Sequence, residues 1–356
     1  MWPDHRIQDL FGIELPIIQA PMAGAVGPAM AIAVSEAGGL GSLPCAMLSP
    51  DEVRTALGRV RERTARPINL NFFCHQPPRH DPERELAWQQ RLAPYYRELG
   101  IGPDLPPAAR GRASFDAALC DVVVELAPTI VSFHFGLPDK QLLDRIKTTG
   151  AKLISSATTV EEARWLEQAG CDAIIAQGAE AGGHRGMFLT ANVSTQIGTM
   201  ALVPQVVDAV SVPVIAAGGI ADARGIVAAF ALGASAVQIG TAYLRCPEAL
   251  ISPLHRRALA QARDDQTVLT NVFTGRPARA LVTRLVREVG PMSDLAPDFP
   301  GAAAAVMPLR LAAEPAGADD FTFMLSGQAA PLGRELPAAD LTRHLAEGAL
   351  ERLNRR

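Results

Sequence analysis

The sequence predicts a (β/α)8 TIM barrel with an inserted lid and a smaller C-terminal lobe, and three observations lead there. Between residues 16 and 240, short apolar segments alternate with helical ones eight times, the rhythm of a parallel sheet with covering helices. Most of these segments are apolar on both faces, as strands between a barrel interior and a helical shell must be. The competing open, doubly wound sheet needs a glycine fingerprint after its first strand, and Pro21-Met22-Ala23-Gly24-Ala25 has no GxGxxG.

In chain order the strands fall at 16–20, 39–43, 67–73, 129–134, 151–155, 173–176, 213–217 and 236–240. The pattern Gly38-Gly39-Leu40-Gly41 precedes a strand and reads as a helix C-cap. Amphipathic stretches at 114–126, 160–169 and 222–232 supply helices, with Asp222 as the N-cap of the last. Segment 77–112 breaks the rhythm: it is rich in proline and charge, with a helical middle at 83–99, and reads as an inserted lid. Beyond Pro247 come a helix at 252–263, a hairpin at 268–287 and an irregular Pro/Ala/Gly-rich run at 291–318. An amphipathic helix closes the chain at 338–353. The expected division is a barrel over 1–246, a cap over 247–335, and 336–356 packing back on the barrel.

Composition narrows the functional classes. An apolar fraction of 48% supports a packed core, and a net charge of −4 without a basic stripe argues against nucleic acid as a partner. Five scattered cysteines lack CxxC or Cys/His metal spacing, so no metal site is expected and the thiols fit a reducing compartment. The N-terminus is polar, and no apolar run is long enough to cross a bilayer. The expectation is a soluble cytoplasmic protein that does not engage membranes, with its oligomeric state left open.

The most informative stretch is Ala176-Gln177-Gly178-Ala179-Glu180-Ala181-Gly182-Gly183-His184-Arg185-Gly186, which follows the sixth strand. Glycines there let the backbone approach a bound group, beside which His184 exchanges a proton or merely fixes the loop. Strand seven ends in Gly218-Gly219 and strand eight in Gln238-Ile239-Gly240-Thr241, the two positions where barrels hold phosphate. A sugar phosphate, pyridoxal phosphate or FMN would suit such a site. Pyridoxal phosphate needs a strand-end lysine, and Lys152 sits at the wrong end of its strand. Asn71 and Gln177, at the ends of strands three and six, carry amides that match the pyrimidine edge of a flavin. FMN therefore fits best. The other histidines, His75 and His80 in the insert, His255 and His344 on helices, and His5 in the tail, read as solvated or capping groups.

These motifs resemble the nitronate monooxygenase family, once called 2-nitropropane dioxygenases, and its class I in particular. The likeness runs from about residue 17 to 348. It rests on Gln19-Ala20-Pro21-Met22-Ala23-Gly24, Asn69-Leu70-Asn71, Ser132-Phe133-His134-Phe135-Gly136, the 177–186 stretch, Ala217-Gly218-Gly219-Ile220 and Gln238-Ile239-Gly240-Thr241, with Ser326-Gly327-Gln328-Ala329-Ala330 as a weaker mark. The resemblance implies oxidation of alkyl nitronates with O2 on FMN, without a nicotinamide cofactor. It implies His184 as catalytic histidine with His134 nearby, the latter either catalytic or orienting a loop. The implied cofactor set is Ala20, Pro21, Met22, Asn71, Gln177, Gly182, Gly183, Gly218, Gly219, Gln238, Ile239, Gly240 and Thr241. A related NAD(P)H-dependent enoyl-thioester or quinone reductase is the alternative, and a non-catalytic FMN-binding protein a distant one. Family members commonly place tyrosines and a lysine in the segment matching 294–310, where this chain has Phe299, Ala303 and Met307; Ser326 stands where an aromatic is expected. A more apolar pocket follows, and any carboxylate contact would fall to another cation, Arg185 or Arg310.

Overall fold

The structure, a computed structural model, describes residues 1–102 and 114–355. Its strands are β1 (Ile17–Gln19), β2 (Gly41–Pro44), β3 (Ile68–Phe73), β4 (Ile130–His134), β5 (Lys152–Ala157), β6 (Ala173–Gln177), β7 (Gly183–His184), β8 (Val214–Ala217), β9 (Ala236–Ile239), β10 (Thr267–Thr270) and β11 (Ala278–Leu281). Eight of them are parallel and run in the order β1-β9-β8-β6-β5-β4-β3-β2. A parallel bridge between Ile18 and Leu40 joins the two ends. This is the (β/α)8 barrel that the alternation predicts.

The apolar strands bury both faces. Inward-facing Ile18, Ile130, Ile154, Ile175 and Ile215 form one core with Ile7, Phe11 and Ile13. The short N-terminal helix Arg6–Phe11 therefore packs at the N-terminal strand ends, where the sequence reading saw only a polar tail. Outward-facing Ile17, Ile174, Val214 and Ile239 pack under the helical shell. Helix Ala338–Leu353 joins that shell through Leu341, Leu345 and Ala349, packed with Met30 and Ile226. No helix among the described residues is long and apolar enough to cross a membrane.

The segment beyond β9 is more regular than its composition indicates. β10 and β11 form an antiparallel hairpin, and β11 also pairs with β7. The run read as irregular contains the helix Ala303–Ala313: alanine is the best helix former, and its prior outweighs the prolines that flank and enter the segment. The insert supplies helix Pro82–Glu98, N-capped by the Asp81 side chain; the rest of 77–112 from 103 onward lies outside the described residues. Trp88, Leu92 and Tyr95 of this helix share a core with Leu285, Ala305 and Leu309, and the Trp88 indole N–H donates to the Ala302 carbonyl at 3.2 Å.

Candidate active site

The C-terminal ends of the barrel strands open into a cavity of about 760 Å3, within the range of roughly 300–1,000 Å3 usual for small-molecule sites. It brings together Ala20, Pro21, Met22, Asn71, His134, Gln177, Gly182, Gly183, His184, Gly218, Gly219, Gln238, Gly240 and Thr241. Ile239 is the exception. Its side chain is fully buried in the layer beneath the helical shell, because alternation along β9 sends it outward while Gln238 faces in.

The loop carrying His184 is fixed by groups on three strands. Gln177, ending β6, donates from Nε2 to the His184 carbonyl at 3.1 Å and accepts at Oε1 from the Gly186 N–H at 2.7 Å. The amide expected at a flavin edge is thus engaged with the loop itself. His134, ending β4, sits 3.2 Å from the same carbonyl through Nε2 and 3.0 Å from the Ser156 hydroxyl through Nδ1. Burial pushes its pKa down to about 3, partly offset by the bond to the His184 carbonyl and assisted by the charges of Arg276 and Arg185. The ring is therefore neutral: its single proton is on Nε2, facing a carbonyl that can only accept, and Nδ1 accepts from Ser156.

Arg185 is wholly buried, donating to the Gln177 and Gly178 carbonyls at 2.7 Å and to Gln196 at 2.8 Å. It closes the turn after β6 and is not on the cavity wall, so it offers no contact to a substrate carboxylate. Arg310 does line the cavity, with Nε held by Glu314 at 2.7 Å. Gly182 is glycine for a packing reason: an added Cβ would stand 2.5 Å from the Gly327 nitrogen. The Glu180–Gly183 and Ser326–Gly327 marks are therefore two sides of one contact, also bridged from Gln328 N–H to the Glu180 carbonyl at 3.0 Å.

His184 lies in β7 and is held from the C-terminal lobe. Its backbone pairs with Ala278 of β11, and its Nε2 is 2.9 Å from the Thr274 hydroxyl in the β10–β11 turn. Ring centroids of Phe299 and Phe323 lie 5.2 and 5.8 Å from its own. Thr274 escaped sequence reasoning, since nothing in Asn271-Val272-Phe273-Thr274 marks it as a histidine partner. His75 and His255 are corrections. Both are buried, His75 edge-on to Phe299 at 4.8 Å and His255 on the cavity wall. His255 Nε2 is 3.1 Å from the Leu325 carbonyl, and burial lowers its pKa to about 4. Arg276 was also missed: its guanidinium lies 3.9 Å over the Phe135 ring and bonds the Met187 carbonyl.

Across the cavity, the ends of β8 and β9 present a different chemistry. Gly219, Ile220, Gly240 and Thr241 line the wall, and their backbone N–H groups donate to no acceptor among the described residues. The Thr241 hydroxyl accepts from Gly327 N–H at 2.9 Å, leaving its own proton to donate. Unpaired donors of this kind form an anion cradle. Gln238 Oε1 is buried without a partner on the same wall, and a buried acceptor left so is costly unless a ligand meets it. The Asn71 amide is anchored by Nδ2 to Ser132 Oγ at 2.9 Å. An anion cradle, amide groups and a broad apolar floor of Pro21 and Met22 suit a phosphate-bearing planar heterocycle. Among the described residues no cluster of side chains could hold a metal ion.

A parallel barrel with a cavity of this make-up at its C-terminal strand ends is a (β/α)8-barrel enzyme. The particular family follows from comparison: the chain belongs to the nitronate monooxygenase family, whose profile matches residues 4–348, and is an oxidoreductase. It is 44% identical to a nitronate monooxygenase of Pseudomonas aeruginosa over 346 residues, spanning 96% of this chain and 98% of that one. The solved nitroalkane oxidase of Streptomyces ansochromogenes is similar at TM-score 0.87 and 39% identity, covering 97% of this chain and 98% of the other. FabK from Thermotoga maritima is similar at TM-score 0.72 and 30% identity, over 98% and 96% of the two chains.

Proposed function

We propose that this enzyme oxidises alkyl nitronates, and the nitroalkanes that give rise to them, with O2 on a non-covalent FMN. One observation carries the reading: His184, the unpaired N–H cradle at Gly219–Ile220 and Gly240–Thr241, and the orphaned Gln238 Oε1 face a single cavity. The cradle and Thr241 suit the phosphate, Gln238 and Asn71 the polar edge of the ring system, and Pro21 and Met22 its apolar face. When bound, FMN supplies the electron-accepting chemistry and its reaction with dioxygen.

The protein's part is to bind, orient and move one proton. An N–H of His184 stabilises the nitronate anion by a charge-assisted hydrogen bond. With a neutral nitroalkane, an unprotonated ring nitrogen of His184 takes the α-proton, a step in which a positioned base contributes about 10²–10⁴-fold. Thr274 holds the imidazole. His134 and Gln177 hold the carbonyl of the same residue, which makes His134 a positioning group whose neutral ring keeps added charge away from the site. Phe299 and Phe323 keep water from the histidine. Anaerobic mixing of the purified yellow protein with the nitronate of nitroethane tests the reading: rapid bleaching of the flavin is expected. Bleaching by NAD(P)H with none by nitronate would overturn it in favour of a reductase.

A further inference from the structure

Helix Ala303–Ala313 carries apolar side chains on two faces. One face, with Ala305, Leu309 and Ala313, is buried against Trp88, Leu92 and Tyr95 of the insert. The other repeats every fourth residue at Ala303, Met307 and Leu311, and together with Ala304 it lines the cavity. Among the described residues this second face is only partly covered: Ala303 and Met307 are half-buried, Leu311 is 60% exposed and Ala304 is exposed as well. A helix whose only charged side chain is Arg310 is ordinarily buried over most of its surface. Two more apolar side chains that line the same cavity, Leu250 and Met47, are 65% and 45% exposed. Exposed apolar side chains gathered around one cavity mark a binding site.

The stripe also has a direction. It starts at Ala303, four residues after Phe299, whose ring centroid is 5.2 Å from that of His184. It ends at exposed Leu311, about 12 Å further along the helix axis. Arg310 on this wall is paired with Glu314 at 2.7 Å, so the stripe does not present a bare cation.

We propose that this face is a tail subsite: it receives the unbranched alkyl chain of a nitronate R–CH=NO2⁻ whose charged head lies at His184. Continuity with the cavity that holds His184 favours a substrate tail over a protein partner. The inference rests on the function proposed above, so its test has one arm that needs no turnover.

Alkanoates from propanoate to dodecanoate share a planar, two-oxygen anionic head with nitronates, and their binding to the purified flavin-loaded enzyme is measured by titration calorimetry. Affinity should rise with length, by up to about fourfold per methylene buried. The dodecanoate-to-propanoate affinity ratio should fall at least tenfold in Leu311→Asp and in Ala304→Asp. Both positions are exposed, so folding does not depend on them. In the second arm, the ratio of kcat/KM for dodecane-1-nitronate over propane-1-nitronate should exceed one and drop in the same variants. If alkanoates gain nothing with length while short nitronates are oxidised, the subsite is wrong and the function stands. If alkanoates gain with length but no nitronate is oxidised, the function is wrong and the subsite stands. A wild-type dimer in sedimentation that Leu311→Asp dissociates, with no chain-length effect, would mean that a second copy covers this face and would overturn the proposal.

Discussion

His184 is held at both its ends by different parts of the chain: its carbonyl by Gln177 and His134 of the barrel, its ring by Thr274 beyond it. Two expectations follow at this scale. His184→Asn should lose about 10²–10⁴-fold in kcat/KM with neutral nitroalkanes and distinctly less with preformed nitronates, because only the former need a base. Parallel steady-state assays on the two forms of nitroethane check this, and equal losses would assign the histidine to binding alone. Thr274→Val is nearly isosteric but removes the hydroxyl, so the imidazole loses this hydrogen bond. Its kcat/KM should fall about tenfold, the value of one lost hydrogen bond of ~1–1.5 kcal/mol. The acidic limb of its pH profile should move, and Thr274→Ser should restore both. A merely structural threonine would leave that limb in place. The histidine itself was legible because glycines surround it. Thr274 was not, since it is 90 residues away and becomes a neighbour only when β11 pairs with β7.

At the scale of elements, the glycine-rich strand ends divide into those that serve packing and those left open to a ligand. A side chain at Gly182 or Gly218 would run into protein, and Gly219 has φ of 71°, so replacements there would strain the fold as well as block the site. Gly240 differs: an added Cβ would meet only Ala20 and Met22, at 3.5 and 3.7 Å, which is ordinary contact. The remaining atoms of a leucine would then occupy cavity space. Gly240→Leu should therefore fold, with the thermal transition of flavin-stripped wild type rather than of the loaded enzyme, and purify with little or no flavin, as absorbance and circular dichroism would show. Full flavin retention would place the phosphate elsewhere. Strand ends of this kind were readable because a short apolar run followed by glycine has few alternative structures. Helix Ala303–Ala313 was not, because an Ala/Pro-rich run carries no polar face to give it a period. Its cover, Trp88 and Leu92, comes from an insert more than 200 residues earlier.

For the whole molecule, the closed barrel followed from the eightfold alternation, whereas the buried histidines depended on how the loops and the C-terminal lobe meet at the C-terminal strand ends. Those histidines set a pH dependence. Burial lowers His134 to about 3 and His255 to about 4, while an unfolded histidine titrates near 6.5. Between these values the unfolded chain binds the protons and the native one does not, so stability rises with pH across that window. The contribution is complete above about pH 6.5 and is lost as pH falls towards 4 for His255 and towards 3 for His134. Each histidine supplies a slope of at most about 1.4 kcal/mol per pH unit. Chemical denaturation of the wild type between pH 7 and pH 4 should show this steep loss. His134→Gln keeps a side chain able to donate to the His184 carbonyl but has nothing to protonate. It should begin less stable at pH 7 and lose less on acidification, so the two stability curves converge as pH falls. Parallel curves would mean that His134 is protonated in the native enzyme, and the assignment of its single proton to Nε2 would then be wrong.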